Sequence, residues 1–319
     1  MKNLYIVGTV PESSFIGGVS IHVKRLTEAL DVKKINYALI DYKQKGVKYT
    51  CLFLVRHKGV VHIHVTHPIL LLMFLTASKL AGSKCIFTLH ADYERFSGWK
   101  KLAFIAALKC ADVPILINHR SYEACRKISR NALFIPVFIP PYVENTLQPE
   151  IVDKITELKE KGKTIVSTNA SRLSFDRFGN EIYGIAFLVD FFKEKKQYAL
   201  IISDPKGAYR QHIKETGDNI IFIDYPHPYY ELLKHIDIFV RNTSTDGDAI
   251  SVKEALYLGR KVLCSDSVDR PLGVTLFSYS NRQSFEDALQ SVLKTQTPDN
   301  MQVQDCAIEI IDLYRKTCQ

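Results

Sequence analysis

The sequence predicts an α/β protein of two domains, each a parallel sheet flanked by helices. Three observations carry this. Short apolar runs, such as residues 4–7, 85–90 and 198–203, alternate with amphipathic stretches of helical spacing along the chain. Pro140-Pro141 and the polar stretch to Pro149 interrupt that alternation near the middle and read as a linker. With 319 residues, 46% hydrophobic and 24% charged, the chain has the length and composition for two cores.

In the first half, residues 4–7 are a buried strand, 9–20 a loop containing Gly17-Gly18, and 19–30 an amphipathic helix. Glycine lets a ligand approach the backbone, and a helix N-terminus favours a phosphate. The same Gly-Gly is equally a tight turn. Residues 37–42 read as a second strand and 60–65 as a third, running into Thr66-His67-Pro68. His62 and His64 alternate and share one face. A metal pair is one reading, but no Cys or carboxylate stands near them at ligand spacing, so a strand entering a loop is the favoured reading and no metal is assigned. Residues 69–80 form a helix that Gly82 stops, and 85–90 a strand that ends on His90. A histidine there stands at the ligand edge of a parallel sheet, or simply packs at that edge. Residues 99–108 are cationic at one end and strongly apolar, which suits a membrane interface or packing on the parent domain. A strand at 111–117, a helix at 121–129 and a last strand at 133–139 complete this half.

The second half opens with a charged helix at 151–161 and a strand at 164–168. Arg172 and Arg177 lie five apart in the next loop, where two guanidinium groups can clamp a diphosphate. A helix at 183–193, strands at 198–203 and 219–224, and a helix at 227–234 follow. The most informative stretch is 237–266: a strand ending near Val240, a polar loop at 242–248, a helix at 249–258, the stop Gly259 and a further strand. The loop carries Asp246, Gly247 and Asp248. The helix opens on the amides of Ala249, Ile250 and Ser251, which can hold phosphate or sugar oxygens, and Glu254 lies one turn on. Carboxylates accept hydrogen bonds from sugar hydroxyls, but Asp246 and Glu254 also read as an N-cap acid and a helix-surface glutamate. A loop at 267–274, a helix at 284–294 and an amphipathic helix at 305–315 close the chain.

The net charge of +8 is unevenly placed. Residues 1–145 hold 20 Lys and Arg against 9 Asp and Glu, whereas 146–319 hold 22 against 25. A basic first half suits an anionic partner: membrane lipid, a pyrophosphate-linked acceptor or nucleic acid. A merely solvated basic surface fits too. The seven cysteines are scattered and form no Cys-x-x-Cys pair, so they read as reduced core residues of a cytoplasmic protein. The N-terminal residues read as a strand and not a signal peptide, and the longest apolar run, 68–75, is too short to span a bilayer.

Taken in order, these motifs resemble the GT4 family, glycosyl transferases group 1, of the bacterial surface-polysaccharide type. Gly17-Gly18 before the first helix, followed by His22-Val23, matches its first signature. His62-x-His64 and His90 after an apolar strand match two more segments. Asp246 and Glu254 take the places of the family's E-x7-E motif, with Asp for the first Glu. Arg172 matches the family's Arg, and Arg177 replaces its Lys, with Gly179 displaced by one. The family's glycines after the 198–203 strand are absent; Ser203-Asp204-Pro205 stands there, and no base-binding residue is assigned to that loop.

The resemblance implies a GT-B fold, two Rossmann-like domains whose parallel sheets face a central cleft. Residues 1–145 would form the acceptor domain, 146–300 the nucleotide-sugar domain, and 301–319 a terminal helix packing back on the first. It implies a retaining, metal-independent glycosyltransferase that moves a hexose from a nucleotide sugar, UDP before GDP, to a glycan or lipid-linked acceptor in polysaccharide, lipopolysaccharide or O-antigen synthesis. His90, Arg172, Arg177 and Asp246 would be catalytic. Gly17, Gly18, Arg172, Arg177, Asp246, Gly247, Ala249, Ile250, Ser251 and Glu254 would bind the donor, and no cofactor is required. The expected partners are the donor, the acceptor and an anionic membrane surface at the cytoplasmic face, with no nucleic acid. Two other classes stay open: another GT-B enzyme such as a sugar-nucleotide epimerase, and a non-catalytic protein binding anionic lipid or nucleic acid. The chain shows no helix-turn-helix, RNP-type or zinc pattern.

Overall fold

The structure, a computed structural model, describes residues 3–11, 18–136, 138–170, 172–176, 179–245, 249–295 and 303–318. The chain divides into two compact units, 1–143 with 304–319, and 144–303. In chain order the elements are β1 (Leu4–Gly8), α1 (Gly18–Val32), β2 (Ala38–Asp41), α2 (Tyr42–Lys45), α3 (Val47–Arg56), β3 (Val60–Ile63), α4 (Pro68–Leu80), β4 (Lys84–Leu89), α5 (Gly98–Cys110), β5 (Val113–Leu116), α6 (His119–Cys125) and β6 (Leu133–Phe134). They continue with α7 (Pro149–Glu160), β7 (Thr164–Asn169), α8 (Ile185–Phe192), β8 (Tyr198–Ser203), α9 (Ala208–His212), β9 (Ile220–Ile223), α10 (Tyr229–Leu233), β10 (Ile238–Arg241), α11 (Ile250–Tyr257), β11 (Lys261–Ser265), β12 (Thr275–Phe277), α12 (Arg282–Lys294) and α13 (Ala307–Cys318).

The first unit's sheet is parallel, in the order β2-β1-β3-β4-β5-β6. Strands β1 and β3 are buried throughout, because helices cover both faces of a parallel sheet and leave no polar side. On one face, Val23, Leu26 and Leu30 of α1 pack with Ile6, Ile86 and Ile115 of the sheet. Ala307, Ile310, Ile311 and Tyr314 of α13 complete that layer. The backbone N–H of Cys306 donates to the carbonyl of Phe138 (2.9 Å) and tethers the start of α13 to the same unit. On the other face, Phe74 of α4 and Phe104 of α5 fill the core with Phe87 of β4.

The second unit's sheet is also parallel, ordered β12-β11-β10-β7-β8-β9. Phe191 and Phe192 of α8 and Phe285 of α12 lie against one face. Ile155 and Leu158 of α7 and Val252 and Ala255 of α11 lie against the other.

Several elements differ from the sequence expectation. The last strand of the first unit is only Leu133–Phe134, not 133–139. Pro136, Pro140 and Pro141 lack the N–H that would continue the ladder, although the Ile135 N–H still reaches the Leu116 carbonyl (3.2 Å). Four short elements, α2, α3, α9 and β12, were not expected. Tyr42–Lys45 is helical because the Asp41 carboxylate accepts from the N–H groups of Lys43 (2.9 Å) and Gln44 (3.2 Å) as an N-cap.

Candidate functional site

Ligands of doubly wound sheets bind where the strand order reverses, outside the carboxyl ends of the strands. In the second unit that point lies between β7 and β10. The two strands end on Asn169 and Arg241. The Arg241 guanidinium donates to the Asn169 carbonyl (3.0 Å) and to its Oδ1 (3.1 Å), and lies over the Tyr183 ring at 5.0 Å. Arg241 is buried, so its position is fixed. Beyond it, Asn242 and Thr243 are buried and pinned from several sides. Asn242 Nδ2 donates to the Gly184 carbonyl (3.2 Å), and the Thr243 N–H donates to Ser265 Oγ (2.9 Å). The Arg270 guanidinium donates to Thr243 Oγ1 (2.9 Å). Residues 241–243 are thus held in place at the end of β10.

Helix α11 begins at Ile250 with Ala249 at its N-cap, an extended residue whose side chain makes no cap hydrogen bond. The first amides therefore depend on groups other than a cap side chain. Ser251 is buried and Ile250 half-buried. Glu254 is only 5% exposed, so it is not a helix-surface carboxylate. Its neighbours include Tyr229, which shares a hydrogen bond with Ser167 of β7 (3.1 Å). Burial pushes the Tyr229 phenol up, and the Glu254 charge adds to this, while the Ser167 bond and the Arg241 charge oppose it. Glu254, Tyr229, Ser167 and Arg241 thus form one electrostatic neighbourhood at the carboxyl edge of β7 and β10. Arg172, in the loop after β7, is exposed. Gly17, Arg177, Asp246 and Gly247 lie outside the described residues.

At the loop after β8, where the GT4 resemblance expects glycines, Asp204 is fully buried and its Oδ2 accepts from the Arg210 N–H (2.8 Å). Asp204 therefore closes the turn into α9, a structural role in place of an open glycine loop. Burial pushes its carboxyl up despite those backbone bonds.

In the first unit the reversal lies between β1 and β3. Gly8 ends β1, and a Cβ there would meet Val23 Cγ2 of α1 at 2.8 Å, so glycine permits the helix to approach the strand. Gly18 is the exposed first residue of α1. His64 follows β3, His90 follows β4, and His22 comes from α1. Their ring centres are 5.3 Å (His22–His64), 4.8 Å (His22–His90) and 5.3 Å (His64–His90) apart. His64 Nδ1 and His90 Nε2 are 3.0 Å apart and share a proton. His62 lies behind them, 4.1 Å from His64, with its nitrogens engaged by the Tyr314 and Thr88 hydroxyls. Burial, then the neighbouring imidazoles, holds His62, His64 and His90 well below the usual imidazole range, so all three are neutral near pH 7.

Sequence reasoning put His90 at the end of an apolar strand and Glu254 one turn into a helix, and in the structure His90 follows β4 and Glu254 lies within α11. It missed Arg241, whose only signal is a cation closing an apolar strand, Ile-Phe-Val-Arg. It also missed His22 as a neighbour of His64 and His90.

No family model matches the chain, and no curated protein matches it. Solved structures do. HepE of Anabaena, in complex with UDP-glucose, superposes with a TM-score of 0.63 at 13% identity, covering 100% of this chain and 96% of that one. Sucrose-phosphate synthase of Thermosynechococcus elongatus gives 0.65 at 15% identity, covering 99% of each. The UDP-GlcNAc 2-epimerase of Methanocaldococcus jannaschii gives 0.65 at 9% identity, covering 99% and 100%. The two parallel six-stranded sheets with their helices are the α/β architecture of these GT-B proteins, so the fold is GT-B.

Proposed function

We propose that the protein is a retaining glycosyltransferase of the GT4 type, transferring a hexose from a nucleotide sugar to a glycan or lipid-linked acceptor. The observation that carries this is Glu254, a carboxylate 5% exposed on the helix beyond β10, at the strand reversal of a GT-B unit. In this reading Glu254 holds the ribose diol. Arg172, Arg177 and the Gly18 amide stabilise the departing diphosphate, an electrostatic role whose strength comes from groups already in place. Gly17, Asp246, Gly247 and the amides of Ala249, Ile250 and Ser251 complete the donor contacts, with Asp246 on the sugar hydroxyls. His90, neutral and a donor through one ring nitrogen, binds the donor sugar. A leaving-phosphate oxygen takes the acceptor's proton on the same face, so the chemistry itself calls for no metal or cofactor. Residues 1–145 receive the acceptor and 146–300 the nucleotide sugar.

UDP-sugars are the first donors to try, since HepE was crystallised with UDP-glucose, and GDP-sugars the second. The basic first half suits work at an anionic cytoplasmic membrane face, in surface-polysaccharide synthesis of the lipopolysaccharide or O-antigen kind. Among the described residues no helix is long and apolar enough to cross a membrane.

The test is a panel of UDP-, GDP- and ADP-sugars read by thermal shift, because a ligand of the folded state raises its melting temperature by mass action. Incubation of the donor that stabilises it with and without added acceptor then follows. Acceptor-dependent release of nucleoside diphosphate with retained anomeric configuration is the expected result. Interconversion of the free sugar nucleotide would mean an epimerase, and no stabilisation by any donor would remove the reading.

A further inference from the structure

We infer that the first unit contains a binding site for one divalent transition ion of the zinc class, with His22, His64 and His90 as ligands. Each of the three offers one ligand nitrogen, and these nitrogens lie within 4.8 Å of one another. Three imidazoles on one tetrahedral ion, with metal–nitrogen bonds of about 2.0–2.1 Å, have ring centres about 5 Å apart. The observed separations are 4.8, 5.3 and 5.3 Å. The ring centres are thus near the spacing of a three-histidine centre, and the nitrogens, which lie up to 4.8 Å apart against about 3.3 Å on one tetrahedral ion, must close in by ring rotation to share it.

A stack of hydrogen-bonded core histidines accounts for the arrangement less well. His62 shows what that looks like: both of its ring nitrogens are engaged by hydroxyls, which excludes it from the ligand set. His64 differs. Its Nδ1 meets His90, but its Nε2 is buried with no hydrogen-bond partner. An ion shared with His90 would take the place of the proton between His64 Nδ1 and His90 Nε2, and it meets the unpartnered Nε2 only when the His64 ring turns over. The three ligands come from three separate elements that converge at the strand reversal, and only His90 is partly exposed. An ion would enter from the His90 side, with a fourth position left for water. All-imidazole donors select zinc, copper, nickel or cobalt over magnesium and calcium, which take oxygen ligands. One consequence rests on the proposed function: an ion on His90 withdraws it from the donor sugar, so zinc would inhibit transfer without being needed for it.

Calorimetric titration of the whole protein at neutral pH with Zn2+, and with Mg2+ as the control, tests the site. One zinc per chain and no magnesium binding is expected. His64→Ala and His90→Ala should each weaken zinc by at least about 10–100-fold, the loss that even outer-shell changes cause. His119→Ala, at an exposed histidine outside the cluster, should change nothing. His90 is the partly exposed member of the three, so His90→Ala should fold, with a lower melting temperature because the buried His64 Nδ1 loses its partner, and it keeps the test decisive if His64→Ala fails to fold. Co2+ gives a second readout: visible absorption of a four-coordinate ion, lost in His90→Ala. No zinc binding, or binding that survives in folded His90→Ala, overturns the inference. Zinc binding in a protein that transfers no sugar would leave this site standing and sink the proposed function; transfer without zinc binding would do the reverse.

Discussion

Substitutions at Arg172 and Glu254 test the proposed function at the scale of single residues, one for chemistry and one for binding. Arg172 is exposed, so Arg172→Ala should leave the melting temperature nearly unchanged. Turnover should fall by roughly 10²-fold or more, the scale of losing one preorganised donor to a developing negative charge. Near-normal turnover would remove Arg172 from the diphosphate. Glu254 is buried, and Glu254→Gln keeps its shape while removing its charge. If it holds the ribose, affinity for free nucleoside diphosphate should drop by about 1.5–3 kcal/mol, with turnover of bound donor less affected. Equal affinity in calorimetry would leave Glu254 a buried structural acid. These two residues could be proposed from the sequence because their signals are local: an arginine just after a strand, and a glutamate one turn into a helix. Arg241 could not. Its meaning lies in the bonds to Asn169, 72 residues away, which exist only once β7 and β10 are neighbours. The same holds for His22, whose partners follow two other strands.

Asp112 shows how one side chain joins three elements. Its Oδ2 accepts from Lys79 Nζ of α4 (2.5 Å) and from the Cys85 N–H of β4 (2.6 Å), while Lys84 Nζ lies 3.6 Å from Oδ1. Asp112 itself immediately precedes β5. Burial pushes its carboxyl up, but the Lys79 bond, the Cys85 N–H and the two lysine charges together leave it below the usual range. A folded-state pKa below the unfolded one means stability that is complete above the unfolded carboxylate pKa of about 3.9 and is lost as pH falls through the folded value. Asp112→Asn should therefore cost about 1 kcal/mol at pH 7, given its partial exposure. The gap to the parent protein should close toward pH 3. Urea midpoints at both pH values check this, and a gap that persists in acid would mean that shape and not charge is at work. The elements so joined were legible because α4 and β4 are long, apolar and bounded by Pro68 and Gly82. Helix α3 and strand β12 were not. Tyr49, Leu52 and Val55 of α3 and Leu276 of β12 are exposed, which blurs the periodicity that marks a buried face. The strand expected at 133–139 failed for the opposite reason, an apolar run whose prolines cannot pair.

At the scale of the whole molecule, charge and apolar exposure coincide in the first unit. Its helices α3, α4 and α5 pack side by side in sequence order on one face of the sheet. They expose Tyr49, Leu52 and Val55, then Met73 and Leu80, then Trp99 (58%) and Leu102 (68%). Lysines accompany them: Lys45 lies 5.4 Å from the Tyr49 ring centre and Lys100 5.7 Å from that of Trp99. Aromatic and aliphatic groups flanked by ammonium groups suit a headgroup layer, where the rings enter the interface and the charges meet anionic lipid. Each Lys or Arg near an anionic leaflet contributes about 1 kcal/mol, and salt screens this within a Debye length of about 10 Å at 0.1 M. The apolar contribution does not depend on salt. Co-sedimentation with anionic vesicles should therefore be strong at low salt, weaker but not abolished at high salt, and weak with neutral vesicles throughout. Trp99→Ala with Leu102→Ala should remove the salt-resistant part, and Lys100→Gln with Lys101→Gln should reduce the salt-dependent part. Both pairs lie on an exposed stretch of α5, so folding should be preserved. Equal binding to anionic and neutral vesicles at low salt, or none to either, would favour a soluble glycan over a lipid-linked acceptor in the proposed function.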